Sequence, residues 1–579
     1  MCGIVGYIGF RQAASVLIDG LKCLEYRGYD SFGIAVVRDN ISIFKRAGKV
    51  SEILEGSSSL PGTCGIGHTR WATHGVPSDI NAHPHMDCHG RIAIVHNGII
   101  ENYSSLKSDL IKGGHSFRSD TDTEVIVHLL EEEYSGDLLG AMFRITGLLK
   151  GSYAVLAISE DGTRMVAVRH ESPLVLGIGD SELFAASDVT PLLEYTNRVV
   201  YLEDGDVAEL SRDGYNIFKD QEPVTRHIHQ IHWTPDTVQK GGFPHFMLKE
   251  IYEQPEVLHR AIHSLTEDSL PEFLKEAKSL TVVACGSSYN AGLIFRYLIE
   301  SACGLPVRLE LGSEFKYSPV PFSDVIIGIS QSGETADTLA GIKKGNCHSV
   351  PTIAITNVLN SSITRYADAT ILMHAGPEIS VAATKSFLAQ LGVMMQMINL
   401  LSGRTCDEVL AHAGFAIEKA LLVDLEEAVN LCSPASHIFY VGRGPFYPVV
   451  MEGALKMKEI SYIHAESYAA GEIKHGPFSL LNPQTPVVTV CLPDPAYAVM
   501  LGNLKEMKAR GTPVIAIGHA DDTELADLAD VLIPLEHGHL YVQILTATVI
   551  LQLLAYHTAA RLGREIDKPR NLAKSVTVE

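Results

Sequence analysis

Leu280-Thr-Val-Val-Ala-Cys-Gly-Ser-Ser288 is an apolar strand running into a glycine turn and then into a helical pattern. The same grammar returns at Val325 to Ile329 before Ser330, and at Thr352 to Ile355 before Asn357. Short continuous apolar runs, each followed by a long helix, are the mark of a parallel sheet flanked by helices. The pattern then runs again, because His437-Ile-Phe-Tyr-Val-Gly-Arg-Gly-Pro445 echoes the first strand and turn. Two tandem α/β modules are expected, split near residues 403–425. Only the first carries a serine-rich turn at its next strand end, Ser330-Gln-Ser-Gly-Glu-Thr335. The counterpart, Pro486 to Leu492, continues into Pro493-Asp-Pro495, so one site per pair is expected.

Upstream of about residue 215 the pattern changes. Short apolar runs at Ile4 to Ile8, Gly33 to Val37, Ile92 to Val95, Tyr153 to Ile158 and Met165 to Val168 alternate with Gly, Asp and Asn, a β-rich signature. Ala13 to Leu24 and Thr123 to Glu133 have helical periodicity, with Asp122 or Thr121 as the expected N-cap of the second. This segment reads as an α+β layered domain (αββα) built on antiparallel sheets. Between about Arg212 and Glu256 the pattern weakens, and Asp220, Pro223, Pro235, Gly241, Gly242 and Pro244 mark a connector. The expected organisation is a first domain over 1–215, a linker over 216–250, α/β modules over 251–410 and 411–565, and a tail over 566–579.

A chain of 579 residues is too long for one core, and 46% hydrophobic residues supply ample material for several. A net charge of -22 argues against nucleic acid or an anionic membrane as the main partner, so an anionic substrate needs a local site. The 10 cysteines form no CxxC pair and no Cys/His cluster at zinc-ligand spacing. Neither a disulfide framework nor a metal is indicated, and a reduced cytoplasmic setting fits. Arg11, Asp19, Lys22 and Glu25 interrupt the first thirty residues, which hold no signal-peptide core. The longest apolar stretch, Leu540 to Ala560, contains Gln543, Thr546, Thr548, Gln552 and His557, and reads as a buried helix rather than a membrane span.

Two features carry chemistry. Removal of Met1 would leave Cys2 with a thiol and a free α-amine, a nucleophile and its base on one residue. The turn Ser330 to Thr335, with Ser287 and Ser288 after the neighbouring strand, gathers hydroxyls and N–H groups at helix starts, a natural phosphate site. Taken alone, Asn97-Gly98 reads as a turn, Asp122 as a cap, Arg70 as a surface residue, Lys456 and Glu459 as a helical ion pair, and Lys574 as a solvated tail residue. His74 and His83 stand between ligand contact and loop packing.

The strings Cys2-Gly-Ile-Val-Gly6, Leu24-Glu-Tyr-Arg-Gly-Tyr-Asp-Ser31, Gly67-His-Thr-Arg-Trp-Ala-Thr-His-Gly75, Asn81-Ala-His-Pro-His85, His96-Asn-Gly-Ile-Ile-Glu-Asn102 and Ser119-Asp-Thr-Asp-Thr-Glu124 together resemble the N-terminal-nucleophile glutamine amidotransferases. That resemblance implies Cys2 as nucleophile, Asn97 and the Gly98 N–H as oxyanion hole, Arg70 on the glutamine carboxylate and Asp122 on its ammonium. Thr73, His74 and His83 would shape the pocket.

The turns at Ser287-Ser288 and Ser330 to Thr335 resemble sugar isomerase domains. With Glu452 to Ser461, Glu472-Ile-Lys-His-Gly-Pro477 and the tail Lys568 to Glu579, the chain resembles the glutamine–fructose-6-phosphate aminotransferases (isomerizing) end to end. The resemblance implies glutamine and fructose 6-phosphate as substrates, no cofactor, and a homodimer whose His475 reaches the neighbour's site. Ser288, Ser330, Gln331, Ser332, Thr335 and Lys456 would hold the sugar phosphate. Lys574 would form the imine, Glu459 would move the C1/C2 proton, His475 would open the ring, and Trp71 would gate an ammonia passage. Ala383 stands where many members of that family have Ser. A purine-pathway transferase or asparagine synthetase needs a phosphoribosyl-pyrophosphate site or an ATP-binding Ser-Gly-Gly turn, and neither string is present. A phosphosugar-binding regulator would not be expected to combine Glu459, His475 and Lys574 with an intact Cys2 domain, and an enzyme that degrades glycated amines stands as an alternative.

Overall fold

The computed structural model describes residues 2–50, 60–71, 74–231, 240–319, 323–403 and 407–576. They form two compact units, one of the described residues up to 231 with the tail 573–576, the other of those from 240 to 572.

The first unit is built on two antiparallel sheets. One has eight strands in the order 228–230, 198–201, 175–178, 183–186, 3–8, 64–70, 31–37, 41–47. The other has seven, in the order 222–224, 214–219, 206–211, 164–170, 151–159, 92–100, 85–86. Alternation along the strands sorts their side chains between two faces. Ala93 and Val95 join Ile4, Ile8 and Ile66 in the core between the sheets. Ile92 and Ile94 point the other way, onto helices Glu124–Glu133 and Leu138–Thr146. Helix Ala13–Leu24 buries Val16, Leu17 and Leu21 on the first sheet. This is the expected αββα layering.

The second unit repeats one topology. Its two five-stranded sheets are parallel, with strand orders 307–311, 280–284, 325–329, 352–356, 369–372 and 464–469, 437–442, 487–490, 514–519, 531–535. Val282, Ile327, Ile438, Val488 and Ile515 belong to one continuous core, so the two modules share a hydrophobic interior. Helix Leu540–Arg561 is long and apolar enough to cross a membrane, yet 89% of its most apolar window is buried inside the protein.

Three details differ from the sequence reading. The connector stretch contains paired strands, because Asp220 and Gln221 at φ 51 and 67 make a tight hairpin turn. Pro223 is tolerated there since strand Glu222–Val224 is a sheet edge, where a missing N–H costs no ladder bond. Asp122 does not cap the following helix, whose N-cap is Thr123; its Oδ2 accepts from the Ile100 N–H at 2.8 Å. Helix Tyr103–Gly113 escaped the reading because only Leu110 of its residues is buried, which leaves almost no apolar period to see.

Candidate active site

Cys2 stands immediately before strand Gly3–Ile8, which pairs with strand Cys64–Arg70 so that Gly3 lies opposite Thr69. This register brings the thiol to Trp71, whose N–H donates to Cys2 Sγ at 3.3 Å. Burial pushes the thiol pKa up, against the opposing pull of the Trp71 N–H and the Arg70 charge. As placed, the sulfur is a thiol that needs a base.

Asn97 comes from the other sheet, in strand Ile92–Ile100, and its Nδ2 donates to the Cys2 carbonyl at 3.0 Å. Its orientation is set by His68, whose Nε2 lies 2.9 Å from the His96 carbonyl and 3.0 Å from Asn97 Oδ1. Both partners are acceptors, so Nε2 carries the proton and the ring is the neutral tautomer. Burial lowers the His68 pKa to about 3, which keeps it so. Gly98 has φ 120, and a Cβ there would sit 1.9 Å from the Ser152 carbonyl oxygen, so no side chain fits beside Asn97.

Arg70, buried at 3% exposure, donates through Nη2 to the His74 and Gly75 carbonyls. Its Nη1 is buried without a hydrogen-bond partner among the described residues. Burial lowers its pKa, with Cys2, Asp30 and Asp122 acting in the other direction. His83 packs its ring 4.1 Å from that of His68, and burial drives its pKa well below the ordinary value. His74 lies edge-on to Tyr103 at 5.4 Å, and Trp71 edge-on to Tyr29 at 5.6 Å. Thr73 lies outside the described residues.

In the second unit the serine-rich turn is a closed hydrogen-bonded loop. Ser330 Oγ is 2.9 Å from Thr335 Oγ1 and accepts from the Gly333 N–H at 3.1 Å. Ser332 Oγ accepts from the Glu334 N–H at 3.2 Å, and the Gln331 carbonyl accepts from the Asn357 N–H at 3.0 Å. Thr335 is the N-cap of helix Ala336–Cys347, so the turn delivers its hydroxyls to a helix start. Ser288 sits on the neighbouring helix Gly286–Cys303 and accepts from Gln390 Nε2 at 3.1 Å.

The second module contributes a charged row. On helix Phe446–Ser461, Glu452, Lys456 and Glu459 share one face. Lys456 Nζ lies 2.6 Å from Glu459 and 3.4 Å from Glu452, and donates to Ser287 Oγ at 3.1 Å. Glu452 also accepts from Ser287 Oγ at 2.8 Å and from Asn290 Nδ2 at 2.9 Å, which ties the two modules together. Burial alone would lower the Lys456 pKa, but Glu459 and Glu452 more than offset it and hold it above the ordinary value. Burial pushes Glu452 up despite Lys456. His475 is exposed on the short helical turn Glu472–His475. Lys574 is half-buried in the tail, which groups with the first compact unit rather than with the modules. Ala383 lies on the approach to helix Lys385–Ser402, where the Glu378 carboxylate accepts from the Thr384 and Ser386 N–H groups at 3.0 Å each.

The sequence reading passed over His68, although strand alternation from Arg70 puts it on the same face of Cys64–Arg70. It also passed over Glu452, which the i, i+4 spacing to Lys456 signals.

A glutamine amidotransferase domain model matches residues 68–194, and an SIS domain model matches residues 273–400 and 432–562. A Thermus thermophilus protein named glutamine–fructose-6-phosphate aminotransferase [isomerizing] is 46% identical over 100% of both chains. One of the same name from Thermococcus kodakarensis is 45% identical over 100% of both. Among solved structures, the C-terminal domain of glucosamine-fructose-6-phosphate aminotransferase from Francisella tularensis is 37% identical, with a TM-score of 0.52 over 57% of this chain and 99% of that one. Matches that run end to end, over a unit with Cys2 against Asn97 and a unit of twinned parallel sheets, put this chain in the glutamine–fructose-6-phosphate aminotransferase (isomerizing) family.

Proposed function

We propose that the two units divide one reaction. The chain transfers the amide nitrogen of glutamine to fructose 6-phosphate with isomerisation, giving glucosamine 6-phosphate and glutamate, the entry step to amino-sugar synthesis. The observation that carries the division of labour is the convergence of Cys2, Asn97 and His68 within the first unit.

With Met1 removed, the Cys2 amine takes the thiol proton and sulfur attacks the glutamine amide carbon. The resulting oxyanion is received by the Asn97 amide and the Gly98 N–H, held rigid by His68. Collapse, with the proton passed from the Cys2 amine to the leaving nitrogen, expels ammonia and leaves a thioester, which water hydrolyses to glutamate and the free thiol. Arg70 takes the substrate α-carboxylate, a role supported by its Nη1, which has no hydrogen-bond partner among the described residues. Asp122 takes the ammonium through the oxygen turned away from Ile100, and Thr73, His74 and His83 line the pocket. In the second unit Ser288, Ser330, Gln331, Ser332 and Thr335 hold the phosphate and sugar, with Lys456 beside them. Lys574 forms the imine at C2, His475 opens the ring, and Glu459 carries the proton between C1 and C2. Trp71 gates the ammonia passage, which must keep ammonia unprotonated.

A homodimer is the working assembly in this reading, with His475 serving the neighbour's site; its exposure supports that role. The disulfide-free state of the described cysteines supports a reducing, cytoplasmic setting. Amide-15N glutamine tests the whole reading. The label should appear in a hexosamine phosphate, and Cys2→Ala should abolish that transfer while added ammonia still yields the product. Glutamate formed without any amino sugar would refute it.

A further inference from the structure

Four donors from three separate stretches of sequence meet in the first unit. Cys88 lies in the turn between strands His85–Met86 and Ile92–Ile100, His115 follows helix Tyr103–Gly113, and His128 and Glu131 share a face of helix Glu124–Glu133. Their ligand atoms all lie within 4.8 Å of one another. We propose that Cys88, His115, His128 and Glu131 form a binding site for a single divalent transition-metal ion of the zinc class.

The distances fit tetrahedral coordination. Cys88 Sγ is 3.8 Å from His115 Nδ1 and 3.7 Å from His128 Nδ1. A zinc ion with ordinary Zn–S and Zn–N bonds at the tetrahedral angle would set sulfur and nitrogen about 3.6 Å apart. The same two Nδ1 atoms lie 2.9 Å and 3.0 Å from Glu131 Oε2, where the coordinated geometry asks for about 3.3 Å. Movements of a few tenths of an ångström therefore open room for the ion at their common centre.

The surroundings are those of a ligand shell. Each imidazole turns its other nitrogen to a second carboxylate, His115 Nε2 to Glu132 at 3.4 Å and His128 Nε2 to Glu124 at 3.7 Å. These are ion-pair approaches, not closed hydrogen bonds, and His128 Nε2 is buried without a hydrogen-bond partner among the described residues; both rings still turn Nδ1 toward the common centre. The Ser116 N–H donates to Cys88 Sγ at 3.5 Å, and the Cys88 N–H donates to Glu131 Oε2 at 3.1 Å. His128 and Glu131 are buried while Cys88 is exposed, so the cluster has a floor and an entrance. A thiolate with two imidazoles selects zinc-like ions over magnesium or calcium. On binding, the thiol proton and any Nδ1 protons leave to solvent as the metal–sulfur and metal–nitrogen bonds form.

The ion would tie together the turn at 87–91, the loop from Gly114 to Thr123 and the helix after it. That loop carries Asp122, and its Arg118 and Ser119 N–H groups are anchored on Glu124 at 2.8 Å and 2.7 Å. The site is thus structural, a staple for the loop that bears a proposed glutamine contact. No sequence motif announces it, since the donors converge only on folding.

Cobalt(II) is the probe. The full chain, stripped with chelator, should take up about one equivalent and develop thiolate-to-cobalt charge transfer with tetrahedral d–d bands. Cys88→Ser should lose the charge-transfer band, and His115→Gln should weaken uptake at least tenfold. Zinc should raise the thermal midpoint of the wild type and leave that of Cys88→Ser unmoved. Because Cys88 is exposed, its variant should keep glutamine hydrolysis, which checks that it folds. No stoichiometric uptake by the wild type, or an undiminished band in Cys88→Ser, would overturn the proposal.

Discussion

In the first unit the proposed glutamine site sets two buried ionisable residues, Arg70 and Asp122, beside four imidazoles, those of His68, His83, His85 and His96, all with pKa values lowered by burial. In the second unit the corresponding groups are Lys456 and Glu452, each 1% exposed, with Glu459 at the row's open end. Neutral rings can be buried at the cost of a hydrogen bond each, whereas a buried charge needs a partner of opposite sign. The difference tracks the chemistry proposed for each unit. A thiol attacking an amide is served by fixed neutral donors around the developing oxyanion. A proton moved between sugar carbons calls for a carboxylate and an ammonium held side by side.

The sharpest way to break the comparison is to remove the charge that balances the second unit. Lys456→Met leaves Glu452 buried without its cation, a loss of about 3–5 kcal/mol in stability. Chemical denaturation should show that loss in the second unit, with the first unit's transition unmoved. Adding Glu452→Gln should recover more than half of it, because a neutral amide can still accept from Asn290. If Lys456→Met alone proved neutral, the charged row would be ornament rather than structure.

Acid should reverse the order of the two units. His68 titrates near 6.5 when unfolded and near 3 when folded, so between those values the unfolded chain takes a proton that the native ring refuses. Its contribution is intact above pH 7 and is lost as pH falls through that window, by about 2 kcal/mol at pH 5. His83, His85 and His96 shift in the same direction and add to the loss. For His128, burial is more than offset by Glu124 and Glu131, and its raised pKa opposes part of the loss. Partial desolvation also lowers His374, His539 and His557 in the second unit, but those residues are exposed. Hydrogen exchange at pH 7.5 and pH 5, corrected for intrinsic rates, should show strand Cys64–Arg70 losing protection faster than Leu280–Ala284. Equal losses in both would dissolve the contrast.

Much of this was legible in the sequence. Continuous apolar runs followed by glycine turns and long helices identified the parallel strands, and short apolar runs set between Gly, Asp and Asn identified the antiparallel ones, of which Gly3–Ile8 and Ser31–Val37 are buried on both faces. The serine-rich turn and the helical pair Lys456, Glu459 were visible for the same local reason, although Glu452, one turn back, was passed over. What stayed hidden depends on tertiary pairing. His68 matters because its strand lies within reach of Asn97 in another sheet, and Asp122 bonds Ile100 instead of capping its helix. Of the donors Cys88, His115, His128 and Glu131, only the last two share a local spacing, and the set forms only when three separate stretches fold together. Hairpin Gly214–Val224 was concealed by its own proline and polar residues, which an edge strand tolerates.

The finest test asks whether the serine-rich turn binds or merely holds its own shape. Ser330 Oγ supports the turn by accepting from Gly333 and bonding Thr335, and Gly333 at φ 67 leaves a Cβ no room beside Ser361 Oγ. If the hydroxyl only braced the loop, Ser330→Ala would cost about 1 kcal/mol of stability and leave substrate binding alone. If it also meets the phosphate, KM for fructose 6-phosphate should rise about tenfold, the equivalent of 1.4 kcal/mol. KM for glutamine should stay constant, since Cys2, Arg70 and Asp122 belong to the other unit. Steady-state kinetics with each substrate varied in turn separates the outcomes. A parallel rise in both constants would mean that the turn acts through the fold, and that the neutral and charged sites are less independent than their chemistry suggests.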